Sequence, residues 1–201
     1  MTSQNNEEQL IRKYFKGLVG SCLDLGANDG ITLSNTRACI LRGWAGVMVE
    51  ASTAAFDRLR ALYGPNMDVH CLNVAVGDHN GEVILHESGA HLGKGDVSLL
   101  STTVESELDR WVGTGFTPEP VRMVDFSTLL EMSPLKTFDL ISIDIEGMDL
   151  AVLRQMDLNA LKCSMLIVEF NGKDRDKFDR YVLPFGFLLY SKNGENLIYV
   201  R

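Results

Sequence analysis

A chain of 201 residues, 45% of them hydrophobic, is long enough to bury a full-sized core in one domain. Its 18 glycines and five prolines are too few for a collagen-like or low-complexity sequence. Twenty-seven acidic and 19 basic side chains leave a formal net charge of −8, which argues against a broad basic surface and so against nucleic acid as a partner.

No apolar run reaches 18 residues, so no membrane span is expected. The opening MTSQNNEEQLIRKYF is polar and acidic before it is apolar, unlike a secretory leader. Within residues 1–17, Leu10, Ile11, Tyr14 and Phe15 recur at helical spacing and predict a short amphipathic helix packed on the domain. Residues 19–25 (VGSCLDL) have the pattern of a buried strand closed by a glycine-rich turn, and residues 32–41 read as the helix after it. Residues 45–50 (AGVMVE) predict a second strand. Ser52 or Thr53 can then cap a helix carrying Phe56, Leu59 and Leu62. A third strand is expected over 69–76 and a short one over 82–86.

Residues 87–120 break this rhythm. They hold five glycines and two prolines, with little periodicity beyond a helix near 103–111, and are expected to cap the site. Regularity returns at 121–124 and 126–131. Residues 138–145 (FDLISIDI) and 164–170 (SMLIVEF) look like strands buried on both faces, with helices at 150–156 and 174–183. Residues 187–190 and 197–200 flank Lys192-Asn193-Gly194, whose Asn-Gly step predicts an antiparallel hairpin. Strand–helix alternation of this kind implies one doubly wound α/β domain over 1–201, with ligands bound beyond the carboxyl ends of a mostly parallel sheet. Cys22, Cys39, Cys71 and Cys163 show no C-x-x-C pairing and read as reduced thiols, so a cytoplasmic location is expected.

The chemistry concentrates at the strand ends. The first strand closes on Asp24-Leu25-Gly26-Ala27-Asn28-Asp29-Gly30, a D-x-G-x-x-x-G pattern in which Gly26 lets backbone approach a ligand with no Cβ in the way. The second ends in Glu50, 24 residues beyond Gly26, where an acid accepts both hydroxyls of a ribose. A dinucleotide site requires G-x-G-x-x-G, but Asn28 and Ile31 stand where its later glycines belong, and a P-loop requires G-K-[ST]. A nucleoside without a pyrophosphate fits the pattern, and S-adenosylmethionine is the obvious candidate.

Further motifs follow in order: Asn73-Val74-Ala75-Val76-Gly77-Asp78, Asp96-Val97-Ser98-Leu99, Ile143-Asp144-Ile145-Glu146-Gly147 with Leu153, and Val168-Glu169. Together with the glycine loop and Glu50 they resemble the FkbM family of S-adenosylmethionine-dependent O-methyltransferases over about residues 19–170. The resemblance implies a seven-stranded class I methyltransferase fold. It also implies methylation of a hydroxyl on a sugar or sugar-containing small molecule, such as a glycan or glycosylated metabolite. By position, Asp24, Gly26, Ala27 and Asn28, with Asp29 and Gly30 in the same loop, would surround the methionine part of the cofactor. Glu50 would bind the ribose, Asn73 and Val74 would lie against adenine, and Asp144 would stand near the amino group or the transferring methyl.

A hydroxyl is a poor nucleophile near neutral pH, so a base or a metal must help remove its proton. Asp144, Glu146 and Glu169 at strand ends, and His86 or His91 in the cap, are the candidate bases; Glu146 can also serve a helix start. Asp144, Glu169 and Asn171 could instead hold a hard divalent cation. His70 and His79 read as structural or exposed, Trp44 and Trp111 as packing, and Ser98 as either a turn or a contact to the ligand. Two other functions stay open at this point, an RNA ribose 2′-O-methyltransferase and a cofactor-binding module that no longer catalyses.

Overall fold

The structure, a computed structural model, describes residues 3–90 and 98–201. In chain order it comprises α1 (Glu7–Phe15), β1 (Ser21–Leu25), α2 (Arg37–Ile40), β2 (Ala45–Val49), α3 (Thr53–Tyr63), β3 (Val69–Leu72), β4 (Ala75–Val76) and β5 (Gly81–Ser88). A 3-10 helix (Glu105–Arg110) precedes β6 (Phe116–Val124), α4 (Phe126–Met132), β7 (Leu140–Ile143), α5 (Asp149–Leu153), β8 (Met165–Glu169) and α6 (Arg175–Val182). A second 3-10 turn leads into β9 (Leu188–Lys192) and β10 (Asn196–Val200).

Seven strands form one sheet in the order β3-β2-β1-β7-β8-β10-β9. The first five run parallel, while β10 pairs antiparallel with both β8 and β9, as the Asn-Gly turn predicted. The order reverses between β1 and β7, and this is where an open α/β sheet leaves a crevice beyond its strand ends.

The apolar strands feed two cores because successive side chains point to opposite faces. Leu23, Leu25, Val47, Val49, Ile141 and Ile143 pack against α4, α5 and α6 on one side. Cys22, Met48, Leu140, Met165 and Ile167 pack against α1, α2 and α3 on the other. Both sets are buried, so an uninterrupted apolar run is what each strand requires. α1 joins the second core through Ile11 and Phe15, and Trp44 closes that end with its indole N–H on the Leu18 carbonyl at 3.1 Å. Cys22, Cys39 and Cys163 are buried free thiols and Cys71 is half-buried. Among the described residues no helix is long and apolar enough to cross a membrane.

Three segments depart from the expected pattern. The strand expected over 69–76 is two strands, because the Asn73 amide donates to the carbonyls of Glu50 (2.8 Å) and Ala51 (3.1 Å) and turns the chain out of the sheet. β4 then joins β6 and β5 in a separate three-stranded sheet. β4 pairs only with Met123 and Val124, so Pro118 and Pro120 lie where that edge of β6 has no partner strand to miss their N–H groups. The helix expected over 32–41 shrinks to α2. Asp29 accepts from the N–H groups of Ile31 (2.8 Å) and Thr32 (2.7 Å), Leu33 has φ +55°, and the Ser34 hydroxyl accepts from Arg37 N at 3.1 Å, so helical geometry starts late. The helix expected near 103–111 is a short 3-10 segment.

Candidate active site

A cleft of about 350 Å³ opens at the carboxyl edge of the main sheet. Its floor is set by Gly26, which has φ +84° and lies so close to β7 that a Cβ there would sit 1.7 Å from the Asp144 carbonyl oxygen. The N–H groups of Gly26 and Ala27 both donate to the Val49 carbonyl at 3.0 Å, and Asp144 N donates to the Leu25 carbonyl at 2.9 Å. The ends of β1, β2 and β7 are thereby laced together around one glycine.

Glu50 sits beside this floor, buried at 7% exposure. One carboxylate oxygen accepts from Asn28 N and the other from Ser52 N, both at 2.8 Å, so backbone on two sides fixes its orientation. Ser52 also caps α3 by accepting from Ala55 N. Burial raises the Glu50 pKa to about 7 against the opposing pull of those N–H groups. Asp24 accepts from the Thr36 hydroxyl at 2.5 Å and is pushed up to about 6 by burial. Ala27, Asn28 and Val74 also line the cleft. Asn73 stands outside it, its amide committed to the two carbonyls that end β2. Asp29 and Gly30 are not among the residues that line the cleft and build the turn beside it: Asp29 ties Ile31 and Thr32, and the Gly30 carbonyl accepts from the Tyr63 hydroxyl at 3.1 Å.

Beyond β7 and β8, Asp144, Glu146 and Glu169 turn toward one another, with ligand oxygens all within 4.8 Å. Glu146 is held at φ +48°, a left-handed conformation maintained by its neighbours. Asp149 accepts from the N–H groups of Ile145 and Gly147 at 3.0 Å each, and the Thr102 hydroxyl donates to the Glu146 carbonyl at 2.6 Å. Burial first, and then mutual repulsion, raises the pKa of all three acids: Asp144 feels Glu146, Glu146 feels Asp149, and Glu169 feels Asp144. Asn171, at φ +50°, lines the cleft two residues beyond Glu169.

Residues of the segment 98–111 also line the cleft. Ser98, at φ +65°, donates to the Glu87 carboxylate at 2.8 Å, which also receives the Ser52 hydroxyl. Trp111 and Arg110 reach the cleft, the guanidinium 4.7 Å over the indole ring. Of the histidines, His86 belongs to β5 and its backbone pairs with Thr102, outside the cleft lining. His70 and His79 are exposed. His91, with Asp96 and Val97, lies outside the described residues. Thr102, Asp149 and Glu87 are site-building residues that the motif reading passed over. Of these only Asp149 carried a local signal, an acid two residues after a glycine at a helix start.

A family model described as the methyltransferase FkbM domain matches residues 24–189. The crystal structure of methyltransferase FkbM from Methylobacillus flagellatus KT superposes with a TM-score of 0.56 at 13% identity, covering 91% of this chain and 44% of that one. The METTL16 methyltransferase domain gives 0.53 at 9% identity, covering 96% and 65%. The putative methyltransferase yhhF from Escherichia coli gives 0.50 at 12%, covering 98% and 85%. At these identities the likeness is one of fold, and the chain spans less than half the length of the FkbM structure. A search of curated protein sequences returned no match. The family model covers most of the chain. The chain belongs to the methyltransferase FkbM family.

Proposed function

We propose that the protein is an S-adenosylmethionine-dependent O-methyltransferase acting on a hydroxyl of a sugar or sugar-containing small molecule. The observation that carries this reading is Glu50, a buried carboxylate locked by two backbone N–H groups beside a floor that only glycine can form. Each part of the cofactor finds suitable chemistry. The apolar wall of Val74, Val76 and Leu85 suits adenine. Glu50 keeps lone pairs for the two ribose hydroxyls, and Asp24 and Asp144 suit an ammonium group. The volume lies in the range of small-molecule pockets.

A bound S-adenosylmethionine would supply a methyl carried on a cationic sulfur, with the thioether as its leaving group. The chain's own task is alignment and proton removal. A rigid floor and a capped cleft hold the acceptor in line, which can supply several kcal/mol of barrier lowering. The acceptor's proton passes to the acidic group Asp144, Glu146 and Glu169, with His91 a further candidate, because burial makes these carboxylates stronger bases than they are in water. Residues 87–120 are assigned to acceptor selection. Trp111 offers an aromatic face to a sugar ring, and the acids and Asn171 offer acceptors to its hydroxyls. Buried free thiols support a reducing, cytoplasmic setting.

Calorimetric titration with S-adenosylhomocysteine tests the cofactor half, with sub-millimolar binding expected; no binding overturns it. Methyl-labelled cofactor offered a panel of sugar-containing acceptors tests the rest, and label appearing on nitrogen or carbon alone refutes the O-specific reading. Glu50→Ala removes a charge-assisted acceptor and is expected to weaken S-adenosylhomocysteine about tenfold or more, from a loss of roughly 1.5–3 kcal/mol. Unchanged affinity takes Glu50 out of the site. For Trp111→Ala the expectation is a several-fold rise in acceptor KM with cofactor affinity unchanged. A weaker cofactor Kd instead assigns the indole to the wrong half of the cleft.

A further inference from the structure

The three carboxylates at the ends of β7 and β8 present a second problem that methyl transfer does not itself solve. Glu146 and Glu169 are each only 7% exposed, and one oxygen of each, Oε2, is fully buried with no hydrogen-bond partner among the described residues. Buried carboxylate oxygens are costly when left unsatisfied. No basic side chain of the described residues forms an ion pair with Asp144, Glu146 or Glu169. The nearby cations pair with another acid, Lys173 Nζ lying 2.7 Å and Arg110 3.4 Å from the carboxylate of Glu107, and they act on Glu146 only through space.

We propose that Asp144, Glu146 and Glu169 form a binding site for a hard divalent cation, Mg²⁺ or Mn²⁺. Donor spacing supports it. Oxygens about 2.0–2.4 Å from one ion lie roughly 3–4.8 Å from each other, and the three carboxylates here offer oxygens all within 4.8 Å. The donor set consists of oxygen alone, which selects hard ions over zinc or copper. The unpartnered Oε2 atoms are a separate indication, since they mark two donors for which the described protein supplies no partner. Asp149 and Thr102 fix the backbone that aims Glu146, in the manner of groups that orient metal ligands. This ligand set differs from the Asp144, Glu169 and Asn171 trio that strand-end position suggested, with Glu146 in place of Asn171. A cation here makes a neighbouring hydroxyl more acidic.

The proposal does not rest on the methyltransferase reading, and one pair of titrations separates them. The full chain, stripped with EDTA and dialysed, is titrated with Mn²⁺ by calorimetry and by the loss of the free-ion paramagnetic resonance signal, without cofactor and at pH 7.5. One saturable site per chain is expected with a Kd below about 1 mM, displaced by Mg²⁺. Glu146→Gln and Glu169→Gln should each weaken Mn²⁺ at least about tenfold, while Glu119→Gln on β6 leaves it unchanged. Thermal melts verify that the variants are folded. Absence of saturable Mn²⁺ binding overturns the site, as does undiminished binding in the Glu146→Gln, Glu169→Gln double variant. S-adenosylhomocysteine binding in EDTA, measured in parallel, tests the cofactor independently of the metal. If it binds there and Mn²⁺ does not, the acids serve an organic cation or shared protons and the metal site is refuted.

Discussion

Gly26→Ala is expected to abolish cofactor binding and to lower the melting temperature by more than about 10 °C. The added Cβ would stand 1.7 Å from the Asp144 carbonyl oxygen, so backbone has to move by more than an ångström. That backbone cannot shift alone. Gly26 N and Ala27 N share the Val49 carbonyl, and Asp144 N is bonded to Leu25, so displacement pulls on three strand ends. The left-handed φ of +84° adds a torsional cost of roughly 1–2 kcal/mol for any residue with a side chain. Gly43 separates the two contributions. It has φ +87°, but a Cβ there meets nothing within 4 Å. Gly43→Ala should therefore cost the torsion alone, a few degrees at about 2–4 °C per kcal/mol in a chain of this size. Melting curves and S-adenosylhomocysteine titrations on the pair check this. Equal shifts in the two variants would show that the approach of β1 to β7 does not govern the site.

The parallel strands were legible because each apolar run feeds two cores. In β1, Cys22 faces one layer while Leu23 and Leu25 face the other, and no other arrangement uses that run so fully. The glycine loop and Glu50 were legible for the same reason, since both lie at fixed positions relative to strands already recognised. What periodicity could not show is where a polar side chain finds its partner. Asn73 looks like strand until its amide is seen holding the Glu50 and Ala51 carbonyls. The segment after Gly30 looks like helix until Asp29 draws Ile31 and Thr32 into a turn. Thr102 reaches Glu146 across 44 residues and Ser52 reaches Glu87 across 35, pairings that no local pattern encodes. Thr102 joins the site through such a long-range bond, which is why the contacts of its segment could not be read from local pattern.

The carboxylate rim also makes the ligand-free protein most stable in mild acid. Between pH 5 and 8, in EDTA, its melting temperature should fall by about 6 °C or more. Glu50 has its pKa raised from 4.5 to about 7 and Asp24 from 3.8 to about 6, both chiefly by burial. In this window the folded chain binds more protons than the unfolded one, so stability declines as pH rises. The contribution of protonated Glu50 is fully present below its unfolded value near pH 4.5 and is lost as pH climbs through about 7. Its size is on the order of 3 kcal/mol, and at roughly 2–4 °C per kcal/mol this sets the expected shift. Asp144, Glu146 and Glu169 move in the same direction. Asp29 and Glu107 oppose it only in stronger acid. Against the upward push of burial, hydrogen bonds from Thr32 and Ile31 hold Asp29 below its usual range, and Lys173 and Arg110 do so for Glu107. Glu50→Gln cannot ionise, so it should flatten the profile even though one backbone N–H loses its acceptor. Cofactor binding should stabilise the protein more at pH 8 than at pH 5, because a cationic ligand meets the charge that burial left uncompensated. A melting temperature that is flat or rising across this range, or a Glu50→Gln profile as steep as the parent's, would show that Glu50 is already ionised in the free protein and that the cleft is wetter than its packing implies.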